Sequence, residues 1–376
     1  MKTNRTILLC ILLCLLCLFY FFPKIEPYIN VKKYETFVWK TKDGFNYRCP
    51  GIVITKKGTL IAYCEKRAGI RDRVSMDIVY KRSTDNGRTW SNNYVLADGI
   101  NNNSTMDNPV MVVGDDGRIH CIYTKNVGKK LKNGYIAYTY SDDDGLTWTK
   151  PKDISAETKP DERGLFAPGP GHGIQLNNGT ILIPVWYSLK RDPDDSNDAF
   201  PSVVSTLYSL DNGKTWLMGK SIYGADNLIN PNESTLVELS NGSVMINIRS
   251  ETKNYLRAVS ISSDGYSNWA EPYFDKKLQS PACFGSLCKF DEWVLFVSPI
   301  FDSKKPKSRE RVSIKISNDD GGSWFKEKRL ITSKGAYTDI NSSPKSRPYI
   351  YALSEVREKR KCSIKIHVFN KKWLEQ

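Results

Sequence analysis

An eight-residue phrase governs what this chain can become. Ser83-Thr84-Asp85-Asn86-Gly87-Arg88-Thr89-Trp90 returns as Ser141 to Trp148 (SDDDGLTW), Ser209 to Trp216 (SLDNGKTW) and Ser317 to Trp324 (SNDDGGSW). A fifth copy, Ser262 to Trp269 (SSDGYSNW), keeps Ser, Asp and Trp in register with its Gly one place early. The starts lie 58, 68, 53 and 55 residues apart. One supersecondary unit recurring at such a period predicts a propeller or a solenoid.

The phrase is turn chemistry. An Asp carboxylate can accept from nearby backbone N–H groups, and a Gly two residues later takes positive φ without steric cost. The Trp that follows enters the next strand as a large apolar anchor. Each copy is therefore expected to be the hairpin between two antiparallel strands, and its Asp (Asp85, Asp143, Asp211 and Asp320) to be structural. Strand-like runs surround the copies, among them 58–63, 78–83, 180–186 and 243–248. Asn-Gly pairs at 178–179 and 241–242 precede two of them, as hairpins require. No helical run of ten residues or more stands out beyond the amino terminus. The expected fold is all-β: a six-bladed propeller of four-stranded antiparallel blades, with 348–374 as its closing segment.

The amino terminus differs in kind. Lys2 and Arg5 precede an uncharged apolar run, Ile7 to Phe22, which Pro23 and Lys24 end. Without a small-residue cleavage site after it, this run is expected to be a membrane signal-anchor, with a cleaved signal peptide and a secreted product as the alternative. The expected layout is a cytosolic tail (1–6), an anchor helix (7–23), a stalk (24–40) and a propeller (41–376) lying outside the cell or in a lumen. Of nine Cys, Cys10, Cys14 and Cys17 fall in the apolar run, and Cys283 and Cys288 are close enough in sequence to pair. The three His are scattered and there is no CxxC, so no metal or other cofactor is expected. The net charge of +14 suits a solvated basic surface or an anionic substrate, and no nucleic-acid motif accompanies it. Asn232 opens a sequon beside Glu233, and a glycan there is not expected.

Three Arg stand out: Arg48 at the start of the array, Arg249 at the end of the strand-like run 242–248, and Arg309 eight residues before a copy of the phrase. Singly, each reads as a surface Arg. Together with the repeat they make a pattern, and the chain from about residue 45 onward resembles the sialidases (neuraminidases) built on repeated Asp-box propellers. The resemblance rests on Arg48-Cys49-Pro50, Ala62-Tyr63-Cys64-Glu65-Lys66-Arg67 with Asp72 after it, and Asn108-Pro109. It continues through Gly169-Pro170-Gly171-His172, Asn232-Glu233 followed by Arg249, Ala336-Tyr337-Thr338-Asp339, and Leu353-Ser354-Glu355. Cys49 and Ser354 depart from the family's Ile and Tyr.

The resemblance implies an exo-α-sialidase that releases terminal sialic acid from glycoproteins, glycolipids or oligosaccharides. It assigns Arg48, Arg249 and Arg309 to the substrate carboxylate, for which planar guanidinium forks are suited, and Glu355 to holding Arg48. Tyr337 becomes the nucleophile, since a neutral phenol is not repelled by that carboxylate. Glu233 becomes its base and Asp72 the general acid. Arg67 and Asn108 become supporting contacts to the sugar's hydroxyl or acyl groups. A trans-sialidase and a propeller that binds sialosides without cleaving them are the alternatives. His172 receives no role.

Overall fold

The structure is a computed structural model. It describes residues 32–376 apart from 42–43, 73, 128–133, 159–163, 190–199, 224–226, 333 and 344–347. The described chain opens on β1 (Lys33–Trp39). A nine-stranded sheet follows, holding β2 (Asn46–Ile54), β3 (Leu60–Arg67), β4 (Met76–Ser83), β5 (Tyr94–Ala97), β6 (Ser104–Val113), β7 (Ile119–Val127), β8 (Tyr135–Ser141) and β9 (Lys152–Asp153). The helix α1 (Ser155–Thr158) leads to β10 (Phe166–Pro168), β11 (Gly171–His172), β12 (Ile174–Gln175), β13 (Ile181–Ser188), β14 (Ser202–Ser209) and β15 (Leu217–Met218). Of these, β11 joins the nine-stranded sheet through β6, and the rest form a five-stranded sheet. Two four-stranded meanders come next. They are β16 (Ser234–Glu238), β17 (Val244–Ile248), β18 (Leu256–Ser262) and β19 (Tyr273–Gln279), then β20 (Ser286–Phe290), β21 (Trp293–Pro299), β22 (Val312–Ser317) and β23 (Lys326–Arg329). Finally β24 (Gly335–Ser342), β25 (Ile350–Glu358) and β26 (Lys361–Phe369) pair with β1, and α2 (Lys371–Glu375) ends the chain.

The all-β propeller stands, but its expected division does not. Six separate four-stranded antiparallel blades are corrected to five hydrogen-bonded sheets of four, nine, five, four and four strands. The cause is local. Asp77 Oδ1 accepts from the amides of Gly99 and Ile100, each at 2.9 Å, and pins the connector after β5 against β4. This brings β6 alongside β4 as a parallel neighbour, with Met76 opposite Thr105. The two halves of the nine-stranded sheet still pack face to face, through Ile61, Tyr63 and Ile78 against Met111, Ile119 and Cys121. Burying each such side chain stabilises the fold by about 1.5–3 kcal/mol.

Three further expectations change. Residues 33–39, expected in a stalk, are a strand: β1 pairs antiparallel with β26 and belongs to the closing sheet. The expected anchor helix over 7–23 is not among the described helices. Its residues lie outside the described part, and the two described helices have four and five residues. Among the described residues no helix is long and apolar enough to cross a membrane. Cys283 and Cys288 do not pair: both are buried free thiols, as are Cys49, Cys64, Cys121 and Cys362.

The repeats are the hairpin turns expected of them, each joining the third and fourth strand of its set. In the first, Asp85 Oδ1 accepts from the Ser83 hydroxyl at 2.7 Å and from the amides of Arg88 and Thr89 at 3.0 Å, and Gly87 has φ 85°. Asp143, Asp211 and Asp264 repeat the pattern. Asp320 does not. In the copy at 317–324 it is Asp319 that bonds Ser317 and Ser323, whereas Asp320 accepts from the Ser240 amide and hydroxyl and pairs with Lys289. Counting two residues from the Ser selects Asp319; the neighbouring Asp faces the adjacent sheet.

Candidate active site

At the strand ends away from these turns, four sheets contribute polar side chains to one place. Tyr337, near the start of β24, is its centre. Its hydroxyl donates to Glu233 Oε1 at 2.5 Å, and Glu233 Oε2 accepts from Arg249 Nη1 at 2.8 Å. The guanidinium carbons of Arg48 and Arg309 lie 5.5 and 5.6 Å from the Tyr337 ring centroid. Thus three Arg separated by up to 261 residues of sequence surround one phenol–carboxylate pair. Arg48 lies near the start of β2, Arg249 directly follows β17, and Arg309 stands three residues before β22. Glu233 immediately precedes β16 and Arg249 immediately follows β17, and their backbones bond each other, the Arg249 amide donating to the Glu233 carbonyl at 3.3 Å. Adjacent strand ends explain how residues sixteen apart meet.

Each group is held. Arg48, the third residue of β2 and buried, donates through Nε to Glu355 Oε1 at 3.2 Å and through Nη1 to Asp72 Oδ1 at 2.9 Å. Glu355 is fully buried on β25 and also accepts from the Cys49 amide and from Arg357. Burial works against its charge, but Arg48 and Arg357 outweigh it and hold the carboxyl below its ordinary range. Arg309 donates through Nη2 to the Ala282 carbonyl at 2.6 Å. Burial and the Glu233 charge push the Tyr337 hydroxyl well above the usual phenol value, against the opposing pull of Arg249 and Arg309. The phenol is therefore protonated at rest, with an acceptor for its proton already in contact.

Asp72 stands on the loop after β3, its side chain 80% exposed. Its Oδ1 accepts from Arg48 and, at 2.6 Å, from Arg67 Nη1. Partial enclosure disfavours its charge, yet Arg67 and then Arg48 keep its carboxyl below the ordinary value. Arg67 is buried and spans Asp72 and Glu65, bonding Glu65 Oε2 through both Nε and Nη2. Asn108, with φ 51°, donates its amide to Glu65 Oε1 at 2.8 Å. All nine residues singled out from the sequence thus fall into one connected neighbourhood.

Sequence reasoning passed over four others. Glu65 and Arg357 bind Arg67 and Glu355 from two residues away on the same strand, and period-two alternation would have found both. Asp107, on β6, receives a bond from Asn126 and is pushed up to about 8 by burial and by Glu65. Arg257, on β18, is buried and close enough to Arg249 to feel its charge. His172 bonds none of these groups: its Nδ1 lies 2.8 Å from Asp339 Oδ1, in a buried cluster that also bonds Ser286 and the Ile52 amide. Asn232 is buried, which leaves its sequon no room for a glycan. Among the described residues no group of His, Cys, Asp and Glu could hold a metal ion.

Comparison with known proteins gives a consistent answer. The model of the BNR repeat-like domain matches residues 58–351. A sialidase of Clostridium perfringens is 29% identical over 287 residues, covering 71% of this chain and 71% of its own. A sialidase of Paraclostridium sordellii is 32% identical over 244 residues, covering 59% of this chain, which spans 57% of that relative's length. Among solved structures, Trypanosoma rangeli sialidase in complex with 2,3-difluorosialic acid, described as a covalent intermediate, superposes with a TM-score of 0.71 over 91% of this chain and 59% of its own, at 19% identity. At that identity the likeness concerns the fold.

Proposed function

We propose, from the premise that this chain belongs to the sialidase family of BNR repeat-like propellers, that it is an exo-α-sialidase acting with retention of configuration. The observation that carries this reading is the Tyr337 hydroxyl on Glu233 with three guanidiniums around it. A protein that only bound sialosides would gain little from a phenol and a carboxylate held in proton-transfer contact.

The roles follow from charge. The substrate carboxylate is gripped by Arg48, Arg249 and Arg309. Arg249 Nε, buried without an acceptor among the described residues, is a donor that such an anion satisfies. Tyr337 attacks the anomeric carbon as Glu233 takes the phenolic proton, and the bond to the leaving oxygen breaks. Asp72 supplies a proton to that oxygen, then removes one from the water that attacks the tyrosyl intermediate. For the first task Asp72 must be protonated, although its two Arg partners favour its charged form. A substrate carboxylate claiming Arg48 removes one of those partners, and the substrate's body excludes water from the other side; both raise the carboxyl's proton affinity. Arg67 and Asn108 border the sugar.

The substrates proposed are sialylated glycoproteins, glycolipids and oligosaccharides. The test is product analysis after incubating the protein with a sialyl-lactose in the presence of free lactose. Free sialic acid with retained configuration is expected. Transfer to acceptor without free acid would make the protein a trans-sialidase, and unchanged substrate with measurable binding would make it a lectin.

A further inference from the structure

Arg257 is a cation in an unusual position. It is buried on β18, and among the described residues no carboxylate lies within ion-pair distance of it. Its fork is instead filled by neutral oxygens. Nε donates to Asn247 Oδ1 at 2.6 Å, Nη2 to the Asn247 carbonyl at 3.3 Å, and Nη1 to the Cys283 carbonyl at 3.0 Å. The guanidinium also lies 5.6 Å from the Phe296 ring centroid. Removing such a charge from water is costly, and burial followed by repulsion from Arg249 pulls its pKa down to about 9. A neutral side chain would avoid that cost, so its presence calls for a use.

Its partners indicate one. Asn247 stands two residues before Arg249 on the same run of chain. Cys283 follows Ala282, whose carbonyl receives Arg309 at 2.6 Å, and precedes Phe284, whose ring lies 5.9 Å from that of Tyr337. The same segment is tied to the start of β18 by the Ser280 amide, which donates to the Tyr255 carbonyl at 2.9 Å. Arg257 therefore fastens the strand that ends in Arg249 to the segment on which Arg309 rests. Lys, with one ammonium, cannot reproduce a fork that reaches these three acceptors.

We propose that Arg257 is a positioning residue that sets the spacing between Arg249 and Arg309, and so the affinity of the site for the carboxylate of an α-keto-acid sugar. This rests on the sialidase reading above. The spacing matters because a bidentate or shared grip on a small anion is lost when its donors move by a fraction of an ångström.

The experiment compares wild type with Arg257→Lys and Arg257→Gln, using inhibition constants for 2,3-dehydro-sialic acid and for its methyl ester, which lacks the charge. Both variants are expected to weaken the acid by about tenfold, close to 1.4 kcal/mol, and the ester by less than about twofold. On a fluorogenic sialoside, KM should rise with kcat nearly unchanged. Equal weakening of acid and ester, or no weakening of either, overturns the proposal. If only Arg257→Gln weakens the acid, charge rather than spacing is responsible, and the positioning role is wrong. Should both variants fail to fold, Asn247→Ser removes one acceptor of the fork and carries the same expectation. A wild-type protein that neither binds the acid nor cleaves the sialoside overturns the sialidase reading and this inference with it; variants equal to a working wild type overturn this inference alone.

Discussion

The Tyr337 hydroxyl rests 2.5 Å from Glu233 Oε1, in a pocket where both side chains are almost wholly buried. A phenol has an ordinary pKa of about 10, and here burial and Glu233 raise it further. In the proposed mechanism its reactivity comes from transfer of the proton to Glu233 as the new bond forms. Tyr337→Phe keeps the ring against Phe284 and loses only the oxygen. Turnover of a fluorogenic sialoside should fall by at least about 10³-fold, the scale of losing a covalent catalyst. The inhibition constant of 2,3-dehydro-sialic acid should stay within about threefold. Retained turnover would remove Tyr337 from the mechanism.

Asp72 bonds two guanidiniums and is mostly exposed. If its proton goes to the leaving oxygen, its loss matters in proportion to how badly that oxygen leaves. Asp72→Ala should reduce kcat/KM for sialyl-lactose by about 10²–10⁴-fold and for an activated aryl sialoside far less. Parallel losses on both substrates would reduce Asp72 to a partner of Arg48 and Arg67.

Glu355 has no solvent exposure and two Arg partners. Glu355→Gln leaves Arg48 and Arg357 short of a counter-charge, and breaking a buried pair in this way typically costs about 3–5 kcal/mol. Its carboxyl is depressed in the folded protein. Its contribution is therefore present above the unfolded value of about 4.3 and is lost as pH falls through the lower folded value. Thermal unfolding from pH 7 down to pH 3 should show the gap between wild type and variant closing below about pH 4. KM should also rise, because Arg48 is no longer held. A gap independent of pH would mean that shape, not charge, is what Glu355 supplies.

The turn at 317–324 separates two adjacent carboxylates. Asp319→Ala removes the acceptor for the Ser323 amide and hydroxyl and the Ser317 hydroxyl. It should lower stability by about 1–2 kcal/mol with kcat/KM within twofold of wild type. Asp85→Ala should behave alike. Asp320→Ala touches only a partly exposed link to Lys289 and Ser240, for which about 0–1 kcal/mol is typical. Denaturant melts of the three variants decide this ordering.

How much of this was readable beforehand depended on range. The turns were legible because their chemistry is contained within eight residues, and the site because its residues lie in stretches that resemble those of the sialidases. Asp320 was the wrong choice between two neighbours since a pair of Asp before Gly satisfies the composition of the turn in either register; only distance from Ser317 separates them. Glu65 and Arg357 carried a local signal that went unused. The sheet count carried none. It depends on Asp77 reaching across to Gly99 and Ile100, a contact invisible to any period in the sequence. Arg257 was equally hidden, because a lone Arg in a strand reads as surface until its burial is known.

The closing sheet has a consequence in time. β1 comes from the beginning of the described chain and its partner β26 from the end, while Arg48 depends on Glu355, and Glu233 on Tyr337, across 307 and 104 residues. A ribosome delivers these partners many seconds apart. Until β24 to β26 emerge, the nascent chain holds Arg48 without its carboxylate and a ring that cannot shut. The cluster around Tyr337 is thus completed last, and a chain interrupted before Tyr337 would lack its centre however many of its turns had already folded.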